Sequence, residues 1–137
     1  MFNIRPFVIE DADKVKGLLK ELTDGPINFE PNILVNSKAV HCLVIESEGD
    51  IIGFGALAIY PAPTRGLVGK LEDIVVASVY RGGGLGKKLV EHLIAIAKKE
   101  KLNSLSLTSN PSRIPARNLY MSMGFVPAET DAFWMKL

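Results

Sequence analysis

Between Asp11 and Leu22 the apolar residues Ala12, Val15, Leu18, Leu19 and Leu22 recur every three or four positions, which places them on one buried helical face. Asp11 is expected to cap the start of this helix, and Asp24-Gly25-Pro26 to stop it. A stronger face of the same kind, Leu85, Leu89, Leu93, Ile96 and Ala97, predicts a second helix, with Lys87, Lys88, Glu91, Lys98 and Lys99 on its other sides. A third helix is predicted over about Ile114 to Met123, with Gly124 placed to cap its C-terminus.

The remaining apolar runs read as strands. Phe2 to Val8 contains Pro6, which cannot donate to a ladder and so points to an edge strand. Val40 to Ser47 and Ile51 to Tyr60 are β-rich and joined by Glu48-Gly49-Asp50, the pattern of a hairpin, and Pro61 and Pro63 are expected to end the second of them. Leu67 to Val76 closes on Ile74-Val75-Val76, an apolar run suited to a buried central strand. Leu105 to Thr108 is a short strand, and Phe125-Val126 and Phe133 to Leu137 are expected as closing strands. Residues 27–38 show no clear period and are read as loop with one short helix. The order of elements predicts an α/β sandwich with a mixed sheet, filling one domain over 1–137.

Composition narrows the classes of function. The chain is 47% hydrophobic and 23% charged, values of an ordinary folded domain, and its net charge of +1 argues against a nucleic-acid module. No apolar run is long enough to span a membrane, no signal peptide is evident, and the lone Cys42 precludes an intramolecular disulfide, so a soluble cytoplasmic protein is expected. His41 and His92 are isolated from other ligand-type side chains, and no metal site is expected. The basic excess lies in the half that contains the run Arg81-Gly82-Gly83-Gly84-Leu85-Gly86.

That run follows a strand and opens a helix, the arrangement of an anion site. The first N–H groups of a helix lack partners, its dipole adds partial positive charge, and glycines let the backbone approach a phosphate. Spacing excludes two ligand classes. A nucleoside-triphosphate loop needs glycine where Arg81 stands and Ser or Thr where Lys88 stands. A dinucleotide fingerprint begun at Gly82 meets Lys87 at its sixth position, and one begun at Gly84 meets Leu89.

R-x-x-G-x-G, filled by Arg81, Gly84 and Gly86, resembles the pyrophosphate loop of the GNAT superfamily of acetyl-CoA-dependent N-acetyltransferases. Val79-Tyr80-Arg81 before the loop and Leu119-Tyr120 followed by Gly124-Phe125 downstream carry the resemblance over about residues 67–126. It implies a mixed, mostly antiparallel central sheet flanked by helices, with the pyrophosphate loop after the fourth strand. It further implies acetyl-CoA as co-substrate, held by Arg81, Gly82, Gly83, Gly84, Leu85, Gly86 and Lys87, and by backbone groups of Ile74, Val75 and Val76. Tyr120 matches the family's proton donor to the departing thiolate. Where the family commonly has asparagine, seven residues before that tyrosine, this chain has Arg113, with Asn110 three residues earlier; both are assigned to the coenzyme.

Acetyl transfer to an amine also calls for a base. Glu72 and Asp73 stand in a predicted strand, where charge is disfavoured unless paired or functional. Strict alternation points them to opposite faces unless a bulge intervenes. Glu72 is expected as general base, directly or through water, and Asp73 as a substrate-binding residue or the alternative base; a structural ion pair is the competing reading of each. Cys42 lies in a strand's apolar alternation and reads as packing. The expected reaction is direct attack of a small molecule's primary amine on acetyl-CoA, without a covalent enzyme intermediate. A non-catalytic acyl-CoA-binding regulatory module and a peptide or protein N-acetyltransferase are the alternatives. Homodimers are frequent in the family, and Phe133-Trp134-Met135 would supply an apolar contact for one.

Overall fold

In the computed structural model, which describes residues 1–137, the chain forms two compact units, Met1–Leu107 and Thr108–Leu137. The first holds a five-stranded sheet in the order β1-β2-β3-β4-β5: β1 (Phe2–Pro6), β2 (Val40–Ser47), β3 (Asp50–Ala62), β4 (Gly66–Val76) and β5 (Ser104–Ser106). The first four are antiparallel and β5 joins β4 in parallel. Helices α1 (Ala12–Leu19) and α2 (Pro31–Asn36) pack on one face, and α3 (Leu85–Lys99) covers the other.

The turns follow from their residues. Glu48 and Gly49 both have positive φ, +48° and +82°, the two-residue turn whose twist matches flanking antiparallel strands. β3 runs through Pro61 to Ala62 instead of stopping before the proline. Ile59 donates its N–H to Ala39 on the β2 side, so Pro61, two residues on, turns its missing donor to that side, beyond the end of β2. β1 takes the edge position that Pro6 predicts.

The core on the α1 side joins Val15, Leu18 and Leu19 of α1 to Val44, Phe54, Ala56 and Val75 of the sheet, around Phe7. Cys42 is part of it, and burial pushes its thiol up to about 11, which leaves it neutral and inert as a nucleophile. α1 ends at Leu19, with residues 20–22 in turn conformation, three short of the expected limit. Asp11 does not cap α1. Its carboxylate accepts the Val8 N–H at 3.0 Å and two bonds from the Arg5 guanidinium at 2.8 and 2.9 Å, while Arg5 also binds Glu46 across β1–β2. The Arg5 hydrogen bonds, opposed by burial, hold the Asp11 carboxyl below its usual range.

The second unit contains α4 (Ile114–Ser122) and a tail. Gly124, at φ +100°, ends α4 as expected: it donates to the Met121 carbonyl and Phe125 donates to that of Tyr120. The Tyr120 and Phe125 rings meet edge to face at 6.1 Å, the apolar contact that accompanies this cap. The closing strands expected at Phe125-Val126 and Phe133–Leu137 are absent, because neither segment finds a ladder partner, and Phe133 and Trp134 are 94% and 86% exposed.

Replacing Asp11 with Asn leaves Glu46 as the only charged partner of the Arg5 guanidinium and is expected to cost about 2 kcal/mol at neutral pH. Because the native carboxyl is depressed, its contribution is complete above the unfolded value of about 3.9 and fades as pH falls through the lower folded one. Urea unfolding of both proteins should show the gap at pH 7 and its narrowing in acid; equal stabilities at pH 7 would refute the role.

Candidate active site

β4 and β5 pair only from Val68 with Ser104 to Lys70 with Ser106. Past Lys70 the outer edge of β4 has no β5 partner, so main-chain groups from Leu71 on that side, up to the Val76 carbonyl that Arg81 takes, have no ladder partner. Ile74, Val75 and Val76 lie on this stretch. Val75 and Val76 are buried and Ile74 is half-buried, so their side chains pack while their main chain borders the opening.

The chain leaves β4 through a tight turn at Ser78–Tyr80, anchored by Ala77 N–H on the Ile52 carbonyl and Tyr80 N–H on the Ala77 carbonyl. Arg81 then folds back. Its Nε donates to the Val76 carbonyl at 3.0 Å, and its guanidinium reaches Glu21 at 3.3 Å, tying the loop to the strand end and to the residues after α1. Gly82 and Gly84 take positive φ, +87° and +80°, with nothing within 4 Å of a would-be Cβ. They are needed for backbone conformation, and the space beside them stays open. Lys88 N–H to the Gly84 carbonyl is the first helical bond of α3, so the N–H groups of Leu85, Gly86 and Lys87 precede it and have no partner within the helix. Leu85 turns its side chain into the core, which orients this helix start.

At the acidic pair β4 carries a bulge. Val75 pairs with Phe54 and Glu72 with Ala56, so Asp73 and Ile74 together oppose Gly55. Asp73 takes φ +52°. Glu72 and Val75, three residues apart, therefore share the α1 face with their partners Ala56 and Phe54, while Ile74 crosses to α3. A Cβ on Gly55 would lie 2.7 Å from Ile74 Cδ1, close to Leu89 and Leu93, so the bulge requires glycine opposite it. Glu72 binds Lys70 at 3.3 Å. Asp73 lines a cleft of about 350 Å³ with Leu19, Leu22, Phe29, Glu30 and Leu34. Asp73 is exposed by surface area, yet partial burial and then the Glu72 charge raise its pKa. The strict alternation that separates the two carboxylates thus does not hold here.

In the second unit, Asn110 accepts the Ser112 N–H and hydroxyl at 2.9 and 2.8 Å, closing its own turn before α4. Arg113 precedes α4, seven positions before Tyr120, and its charge opposes the burial that raises the phenol pKa. A phenol so held is protonated at neutral pH. No group of three or more His, Cys, Asp or Glu side chains is arranged to hold a metal ion, and His92 bonds its own helix at Lys88. The sequence pointed to residues 20–38, with the acid Glu30 among them, as the stretch that sets the acceptor, but gave no individual signal for Glu21, which holds Arg81, or for Phe29 and Leu34 of the cleft.

Residues 9–125 match the model of the acetyltransferase (GNAT) family. The chain is a member of that family. It is 39% identical over 79 residues to a glucosamine 6-phosphate N-acetyltransferase of Trypanosoma brucei brucei, a match covering 56% of this chain and 52% of that one. It is 30% identical over 119 residues to an IAA acetyltransferase of Azospirillum brasilense, covering 86% and 74%. The crystal structure of a Trypanosoma brucei acetyltransferase superposes with a TM-score of 0.82 at 29% identity over the whole of both chains. Several curated relatives are much longer, and the chain spans 52%, 27% and 46% of the length of three of them.

Gly84→Ala is expected to cost about 1–2 kcal/mol through its left-handed φ alone. Gly83→Ala, with an ordinary φ and its nearest neighbour at 3.9 Å, should cost clearly less. Denaturant midpoints of the two variants decide, and equal losses would sink the assignment.

Proposed function

We propose that this chain transfers an acetyl group from acetyl-CoA to the primary amine of a small molecule by direct attack. The observation that carries this is the pairing, in a GNAT-family chain, of the positive-φ loop at the start of α3 with the unpaired edge of β4. In this reading the pyrophosphate sits on the N–H groups of Gly82 to Lys87, and the pantetheine arm runs along Ile74, Val75 and Val76 as an added strand. Asn110 and Arg113 complete the coenzyme's contacts. Residues 1–137 act as one N-acetyltransferase domain, a reading supported by a family match that spans both units. The setting is the cytoplasm, where Cys42 stays a thiol.

The amine nitrogen attacks the thioester carbonyl, and main-chain N–H groups on the β4 edge receive the developing oxyanion. The amine proton goes to the carboxylates of the bulge. Asp73, lining the cleft with a raised pKa, is the better placed contact, and Glu72 acts beside it, as base through water and as the charge that keeps Asp73 basic. When the C–S bond breaks, the thiolate takes the Tyr120 phenolic proton; no acyl-enzyme forms.

Calorimetric titration with CoA and a CoA-release assay over an amine panel test this. Tyr120→Phe should lower kcat about 100-fold with little change in the KM for acetyl-CoA. CoA binding without turnover of any amine, and no effect of Tyr120→Phe, would favour the non-catalytic module. Peptides outcompeting small amines would favour protein acetylation.

The exposed Phe133-Trp134-Met135 supports a homodimer. Light scattering should give twice the 14.9 kDa chain mass for the protein and a monomer for Trp134→Ser; a monomeric native chain overturns it.

A further inference from the structure

The cleft beside the bulge is built wholly from the first unit: the end of α1, the segment after it, α2 and Asp73 of β4. At about 350 Å³ it lies at the small end of ordinary ligand pockets, roughly 300–1,000 Å³. Its walls are mostly aliphatic and aromatic: Leu19, Leu22, Ile27, Phe29, Ile33 and Leu34. Phe29 is locked edge to face on Phe7, which joins this lining rigidly to the core. Asp73 beside the bulge and Glu30 at the start of α2 are its charged residues, and both are acidic and exposed. No lysine, arginine or histidine lines it. Lys16 and Lys20 line an adjoining groove that shares Thr23 and Ile27 with the cleft, without lining the cleft itself, and Lys70 is held by Glu72.

This composition selects by charge. An ammonium entering the cleft meets the Asp73 carboxylate, with that of Glu30 on the same lining, and can form a charge-assisted hydrogen bond there. A phosphate or carboxylate carried a few atoms from that ammonium would be withdrawn from water with no cation to receive it and two acids nearby. The aliphatic walls reward an apolar body in its place.

We propose that the cleft takes a primary amine carried on an uncharged, apolar body and rejects acceptors that bear a phosphate or carboxylate beside the amine. This rests on the acetyltransferase reading and narrows its acceptor to a class unlike the amino-sugar phosphate named for the trypanosomal relative.

2-Phenylethylamine and phenylalanine differ by one carboxylate, and glucosamine 6-phosphate adds a phosphate on a polar body. Calorimetry of each against the protein with CoA present should give at least about tenfold tighter binding of 2-phenylethylamine than of the other two, which corresponds to about 1.4 kcal/mol. Asp73→Asn should weaken 2-phenylethylamine about tenfold. Ile33 is 66% exposed at the rim, so Ile33→Lys should fold normally and shrink the preference over phenylalanine severalfold by adding the missing cation. Equal or tighter binding of either anionic amine, no binding of any, or an unchanged ratio in Ile33→Lys would overturn the inference. CoA binding and CoA release are scored separately. Turnover that prefers an anionic amine defeats this inference alone, whereas loss of CoA binding and of all turnover defeats the acetyltransferase reading.

Discussion

The bulge in β4 is the constraint on which the site depends. One extra residue opposite Gly55 turns Asp73 into a left-handed conformation, puts Glu72 on the α1 face and sends Ile74 across to α3. Without it, a strand of strict period two would direct one of the two acids into the packing of α3, where an unpaired carboxylate is costly. The energetic support comes from the other face. Ile74 fills the space left by the missing side chain at Gly55 and packs toward Leu89 and Leu93, both fully buried. Core packing on one side of the sheet therefore holds an acid in place on the other.

The same strand positions the glycine loop. β4 separates from β5 after Lys70, and Arg81 clamps the strand end by taking the Val76 carbonyl, so the free edge, the tight turn and the start of α3 form a continuous backbone surface. Side chains contribute little to that surface, which suits a co-substrate shared across a family. The cleft is made almost entirely of side chains from α1, α2 and the segment between them. Under the proposed function, donor recognition rests on backbone geometry and acceptor recognition on side-chain lining.

Regular elements with a strong period were legible because their local pattern and their burial agree. The α3 face, the Glu48-Gly49 turn and the Gly124 cap each follow from residues close in sequence. Asp11 is a counterexample. It has the chemistry of a helix cap, yet Arg5 and the Val8 N–H claim its carboxylate, because the ion pair between β1 and the turn before α1 outweighs a local cap. The tail likewise has β-type residues but no ladder partner, and β propensity alone does not make a strand.

The spacing of Arg81, Gly84 and Gly86, with Tyr120 and Gly124 downstream, determined the family from sequence alone, and the positive-φ loop at an open helix start is a demand met within a few residues. Which carboxylate lines the cleft beside the bulge, and what else lines it, was decided only by tertiary structure. Asp73 turns on a register shift set by β3 and α3, and its neighbours Leu22, Phe29 and Leu34 come from a stretch whose period is weak because it wraps a cleft instead of presenting one continuous face to the core.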